Sequence, residues 1–326
     1  MGALSRQRRA LLALLVVSTG TRARLATITL GGAALLALAL LPVAVRDRYF
    51  LSVFIVANLY AAMAASWDIL SGYTGRENFG HAIFIGTGAY TAALLDTRLH
   101  LPPLIGIPCG AGAVLVVALL VGVPTLRLRG PYFALATLAM AGIMEQLALL
   151  LWPLTGGEEG VFSVQPLSLS ASTTYYITLG FMGTVVLGLY WTARSEWGMV
   201  LRAIRVNEEA CEASGLNTTA YKVGALLLSA VPAGLAGGLY AHVQEHVGPA
   251  VYSAALSVTV IIMTFIGGIG TIYGAAAGGF LLTIAGEALR GFGQYRLLLY
   301  TAALLPVIFY WPQGVAVQLL AWLRGR

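Results

Sequence analysis

The chain of 326 residues is 59% hydrophobic and only 10% charged, with 39 glycines and a formal net charge of +6. A soluble domain needs roughly a quarter of its residues charged, so a water-covered globule is excluded and lipid must cover much of the surface. The basic residues stand between apolar runs without aromatic interleaving or a basic stripe, which excludes nucleic acid and points to orientation in a membrane.

Residues 1–24 carry five arginines around the apolar run Ala10 to Val17, too short to span and followed by no small-residue cleavage site. This segment reads as an interfacial cytoplasmic arm. Apolar stretches follow at 25–45, 49–69, 79–95, 104–123, 131–152, 173–193, 219–241, 250–267, 273–289 and 297–312. They predict an all-α polytopic membrane protein with about ten transmembrane helices over 25–314, some short or broken, and a cytoplasmic tail at 315–326. Alternation from a cytoplasmic N-terminus puts 14 of the 19 basic residues inside, with Arg46, Arg48, Arg98, Arg290 and Arg296 outside. The positive-inside rule favours that orientation, with both termini in the cytoplasm.

Between the second and third stretches, residues 72–90 read GYTGRENFGHAIFIGTGAY. Arg76, Glu77, Asn78 and His81 beside so many glycines are costly in a plain span. A glycine-rich break is the economical reading: its backbone faces a cavity or the inside of the protein, and Tyr73, Thr74, Gly75, Asn78, Gly80 and His81 are candidates to line or close a translocation path. A loosely similar pattern recurs at Gly267, Gly268, Gly270 and Gly274. An inverted repeat accounts for the recurrence, and so does close helix packing through small residues.

Among ionisable groups, only Glu145 lies near the middle of a long apolar segment, which makes it a further path candidate or a hydrogen-bonded interhelical group. On the outer side, Thr155, Gly156 and Gly157 precede the adjacent Glu158 and Glu159. These acids suit contact with a basic protein face or an ammonium group, and equally an ordinary loop. Cys109 and Cys211 fit no disulfide, and His242 and His246 form a lone pair rather than a metal set.

Residues 194–222 form the one large cytoplasmic loop, with four acidic and four basic residues in a helix-compatible pattern closed by Gly215. A solvated connecting helix would look the same. The chain's single lysine, Lys222, follows a tyrosine, so there is no Gly-Lys phosphate-binding loop. If ATP drives this protein, another chain hydrolyses it. No arrangement of serine, histidine and acid suggests an enzyme.

Taken in order, Gly72-Tyr73-Thr74-Gly75, Gly80-His81-Ala82, Gly88-Ala89-Tyr90, Leu126 through Ala134, Thr155-Gly156-Gly157 with Gly160, and Phe265-Ile266-Gly267-Gly268 with Gly270 closely resemble the LivM-type permease subunits of branched-chain amino acid ABC importers. The resemblance covers residues 45–314. It implies a bacterial inner-membrane permease paired with a LivH-type permease, two ABC ATPase subunits that carry ATP and magnesium, and a periplasmic or lipid-anchored binding protein. It implies no cofactor in this chain. Glu209-Ala210-Cys211 with Gly215 resembles the coupling-helix signature of importer permeases, with Cys211 replacing an alanine, so Glu208 through Gly215 is the expected ATPase-docking element. Arg76 and Glu77 replace residues that are usually apolar in such relatives, and either a local ion pair between them at the cytoplasmic mouth or a different, more polar cargo accounts for the change. Importers of urea or short amides have similar permeases, and a self-contained secondary transporter or a passive channel are the readings outside the class.

Overall fold

The computed structural model describes residues 47–128 and 130–289, together with 32, 35–42, 295, 298, 299, 302 and 314. Two units are distinguished: Asp47–Gln318, and Met1–Arg46 with Leu319–Arg326, in which residues 35–42 are helical. The expected arm at 1–24, most of the first and tenth apolar stretches, and the tail at 315–326 lie outside the described residues.

The larger unit is mostly helical. Helix α1 spans Arg48–Thr74, α2 His81–Leu99, and α3 Pro103–Val117, the last continuing through a π-helical turn at Ala118–Gly122 to Thr125. Then come α4 (Pro131–Leu150), the short α5 (Trp152–Thr155), α6 (Ala171–Arg194), α7 (Glu196–Val206), α8 (Glu208–Ala213) and α9 (Thr218–Gln244). A 3-10 turn at Pro249–Tyr252 leads into α10 (Ala254–Gly267), which is followed by α11 (Tyr273–Ala288). Two-residue strands β1 (Val161–Phe162) and β2 (His246–Val247) pair antiparallel.

Helix ends follow local chemistry. The Asp47 carboxylate accepts the Tyr49 amide at 2.9 Å and opens α1, Pro103 starts α3 where its missing N–H costs nothing, and Asn217 and Ser253 cap α9 and α10 through their side chains.

Among the described residues, five helices, α1, α3, α4, α6 and α9, are long and apolar enough to cross a membrane. Within their most apolar windows, 67% of α1 and 61% of α9 is buried, against 33% of α3 and α6 and 22% of α4. Helices α1 and α9 are thus the centre, with α2 and α11 packed on them, while α3, α4 and α6 present apolar flanks outward. Helix α2 carries His81, Thr87 and Asp96, all buried. It tolerates them because α3, α4, α9 and the 3-10 turn at Pro249–Tyr252 pack around it. The eighth stretch is broken: its first residues form the 3-10 turn, and only 14 residues of α10 remain helical.

Lipid gives no hydrophobic drive for helix association, so close packing has to supply it. Helices α2 and α9 meet backbone to backbone. A Cβ built at Gly88 would sit 2.7 Å from the Cα of Gly234, and one built at Gly237 would sit 3.0 Å from the Cα of Ile85. Gly88→Val should therefore push α2 and α9 apart and destabilise the fold by about 1–3 kcal/mol. Gly112→Val, where nothing lies within 4 Å, should be tolerated. Thermal unfolding of the two variants in detergent checks this, and equal melting would refute the contact.

Candidate functional site

Helix α1 ends at Gly75, whose φ of 72° is left-handed and whose amide reaches the Ser71 carbonyl at 3.0 Å. The chain then runs without regular structure to Gly80 and restarts as α2. Asn78 holds this break together. Its carbonyl accepts the Trp67 indole N–H at 2.7 Å, its amide donates to the Ser71 hydroxyl at 3.1 Å, and its Oδ1 accepts the Gly80 amide at 2.9 Å. The Phe79 and Ala82 amides go to the hydroxyls of Thr137 and Ser257. The amides of Gly75, Arg76, Asn78, Phe79 and Gly80 thus all find acceptors within the protein, as irregular backbone away from water requires.

The expected path residues come together here but turn into the protein. Thr74 donates to the Leu70 carbonyl at 2.7 Å. His81, fully buried, lies 3.1 Å from the Ser66 hydroxyl through Nε2. Tyr73 is buried with the Arg202 guanidinium 5.6 Å from its ring centre. Gly80 is required by proximity, since a Cβ there would overlap the Thr137 carbonyl. Glu145 stands apart. It lines an outward groove of about 440 Å³ along α4 with Gly142, Gln146 and Leu150.

The second glycine pattern also forms a break, between α10 and α11, and Asp68 of α1 closes it. Its two carboxylate oxygens accept the amides of Gly270 at 2.6 Å and Ile272 at 2.9 Å. Gly72 allows the approach, because a Cβ there would sit 2.8 Å from the Gly270 nitrogen. The two breaks noticed in the sequence are therefore neighbours.

At this same end lies the charged loop. Helix α8 is capped by the Asn207 side chain, which accepts the Ala210 amide at 3.0 Å. It is closed by Gly215 at φ 84°, with the Gly215 amide on the Glu212 carbonyl and the Leu216 amide on the Cys211 carbonyl. That pair of bonds is a Schellman motif, in which the left-handed residue is Gly215. Glu209, Ala210 and Gly215 are exposed, whereas Cys211 is buried.

Glu208 faces inward. Its Oε2 meets the Arg76 guanidinium at 2.5 Å, and its Oε1 meets the Lys222 ammonium. Arg76 also donates to the Leu128 carbonyl at 2.7 Å, and Arg205 donates to the Gly72 carbonyl. The expected local pair of Arg76 with Glu77 is corrected: Glu77 is exposed, and Arg76 is folded inward to a carboxylate 132 residues away. Burial alone would raise the Glu208 pKa, but its contacts with Lys222 and Arg76 outweigh this and hold it below the usual carboxylate value.

At the opposite end, Gly156, Gly157 and Gly160 all have positive φ and turn the chain into β1. Thr155 donates to the Ala148 carbonyl at 2.5 Å, and Glu158 and Glu159 are exposed. His246 bonds the Glu159 carbonyl and His242 the Gln165 carbonyl, each at 2.8 Å, while the Asp96 carboxylate takes the Gln165 amide at 2.6 Å. Both histidines are thus bound to carbonyls, and no group of three metal-ligating side chains occurs among the described residues.

One feature was invisible in the sequence. A cleft of about 290 Å³ opens among α1, α2, α9 and the start of α10, lined by residues including Tyr60, Met63, Ile85, Tyr240, Ser253 and Leu256. Its lining is largely aliphatic and aromatic, with hydroxyls on Tyr60, Tyr240, Ser253 and Thr259.

Two glycine breaks in a helical bundle, tied to a capped polar loop, are permease architecture. The family described as "Branched-chain amino acid transport system / permease component" matches residues 49–310. The chain belongs to this family. The LivM permease protein of the high-affinity branched-chain amino acid transport system of Salmonella typhimurium is 28% identical over 312 residues, covering 85% of this chain and 73% of the relative. Its Escherichia coli counterpart is 27% identical over 286 residues, covering 79% and 67%. A probable LivH permease protein of Methanocaldococcus jannaschii is 24% identical over 248 residues, covering 71% and 77%. No solved structure matches the chain. As a permease component with five helices fit to cross a bilayer among the described residues, the chain is a multi-pass membrane protein. The family match spans both breaks, the charged loop and the cleft.

If the Asn78 side chain staples the first break, Asn78→Ala leaves the Gly80 amide without its acceptor. It should destabilise the protein by about 1–3 kcal/mol, read as a lower melting temperature in detergent. The exposed neighbour change Glu77→Ala should leave melting unchanged, and equal effects of the two would remove Asn78 from this role.

Proposed function

We propose that this chain is the LivM-type permease subunit of an ABC importer that moves branched-chain amino acids into the cell across a bacterial inner membrane. The observation that carries the reading is the family match over residues 49–310, supported by two relatives named LivM. In this reading the chain works beside a LivH-type permease, two ATPase subunits holding ATP and magnesium, and a substrate-binding protein outside. The bundle has ten spans over 25–314, with an inverted repeat built around the two breaks, a cytoplasmic arm at 1–24 and a cytoplasmic tail at 315–326. The cargo passes the cleft at Tyr60 and Tyr240 and the break at 72–81, with Glu145 on the permease flank. Glu158 and Glu159 meet the binding protein. The aliphatic part of the cleft, Met63, Ile85, Val251 and Leu256, suits a branched apolar side chain.

Reconstitution tests the assignment. In proteoliposomes the chain with its partner permease, ATPases and binding protein should take up leucine only with ATP inside, and the chain alone should be inert. Uptake by the chain alone on an ion gradient would make it a secondary transporter, and uptake of urea or a short amide in place of leucine would change the cargo.

The docking element is Glu208 to Gly215 with the end of α7. Its exposed face holds Glu209 and Ala210, and beside them Val206 is 87% exposed and Met199 55% exposed. Such apolar side chains in a polar loop suit a protein groove better than solvent. The 14 to 5 distribution of basic residues supports a cytoplasmic loop. A cysteine placed by Val206→Cys, in a chain carrying Cys109→Ser and Cys211→Ala, should resist an impermeant thiol reagent applied outside intact cells and crosslink to the ATPase in the purified complex. Labelling from outside would invert the topology, and crosslinking only from distant positions would move the docking element.

A further inference from the structure

We infer that Glu208 is the positioning residue through which the docking loop holds the helix break at 75–80, so that displacement of α8 is passed to Arg76. The inference rests on the docking reading above. One carboxylate serves two cations from different parts of the chain, Arg76 on Oε2 and Lys222 on Oε1. Arg76 reaches on to the Leu128 carbonyl in the connection after α3. Four segments thus converge on Glu208: the break, that connection, α8 and the second turn of α9.

The geometry differs from that of a surface pair. The Arg76, Lys222 and Glu208 side chains are 9%, 7% and 18% exposed, so the charges are poorly screened and each has its partner inside the protein. Other charges nearby are otherwise engaged: Arg205 holds the Gly72 carbonyl, and Glu212 accepts the Thr218 hydroxyl. Helix α8 is fixed at both ends, by the Asn207 cap and the Gly215 closure. It moves as a unit, and Glu208 is its first residue. When α8 shifts, Arg76 must follow or the clamp must part. Either event changes the first break, whose neighbour is the second break through Gly72 and Asp68.

Lys222 is the only lysine of the chain, which gives a site-specific reporter of the clamp. In the assembled complex, an amine-reactive ester followed by mass spectrometry of this subunit measures how readily the Lys222 ammonium is released. Between the nucleotide-free and the vanadate-trapped complex the labelling rate should differ by about tenfold. Glu208→Gln should abolish that difference and lower the amino acid transported per ATP hydrolysed by about tenfold, while the ATPases still co-purify. Arg76→Gln should do the same, and the double variant should be no worse than either single change, because both remove one link. Equal Lys222 labelling in both nucleotide states of the unaltered complex would overturn the inference, as would wild-type transport per ATP in Glu208→Gln. Failure of the unaltered chain to co-purify with ATPases is a separate result that sinks the docking reading itself.

Discussion

Inside a bilayer an unpaired amide has no water to turn to, and each one costs several kcal/mol. A chain that interrupts its helices at membrane depth must therefore bring its own partners to the interruption. At the first break these are Asn78, Ser71, Thr137 and Ser257, and at the second they are the two oxygens of Asp68. This requirement fixes much else. It puts α1 beside the α10–α11 connection, demands glycine at 72 and 80 where a side chain would intrude, and buries polar residues in α2 that no lipid-facing helix could carry.

The same requirement separates two kinds of polar residue that look alike in the sequence. Asn78, Thr74 and Asp68 are spent on backbone groups, so they shape the break rather than offer free atoms to cargo. The hydroxyl-bearing residues of the cleft, Tyr60, Tyr240, Ser253 and Thr259, border open space as well as their protein partners. Glu145 and Gln146 belong to neither group, since they face an outward groove on the least buried of the five spans.

The sequence made the long spans legible because their signals are local. The apolar run at 219–241 became Thr218–Gln244, bounded by an Asn cap at one end and a left-handed Glu245 at the other. Gly215 could likewise be recognised as a helix stop, and its φ and closing bonds have that form. The breaks were visible as misplaced polarity and glycine, but not the bonds that fill them. What stayed hidden depends on distant partners: Arg76 was paired with its neighbour Glu77 because adjacency is all a linear reading offers, whereas its carboxylate lies on α8. Asp68 and Gly270 are separated by 202 positions and meet only after α1 and α11 pack. The two-residue ladder of β1 and β2 was equally beyond reach, because two residues carry no period.

The two ends of the bundle are fastened by different forces. At the end bearing β1 and β2, the ties are backbone bonds at Gln165, Glu159 and the short ladder, and hydrogen bonds weaken steeply once their angle falls below about 120°. At the end bearing α8, the Glu208 clamp adds charge attraction to the hydrogen bonds of the two breaks, and Coulomb attraction falls only with the inverse of distance. A directional bond resists a tilt of a few degrees by breaking. A charge pair opposes the same tilt gradually and can restore the original geometry over several ångströms. The end that carries the exposed loop therefore has, beside the directional bonds of its two breaks, one tie that a small tilt weakens only gradually, the clamp of Glu208 on Arg76 and Lys222.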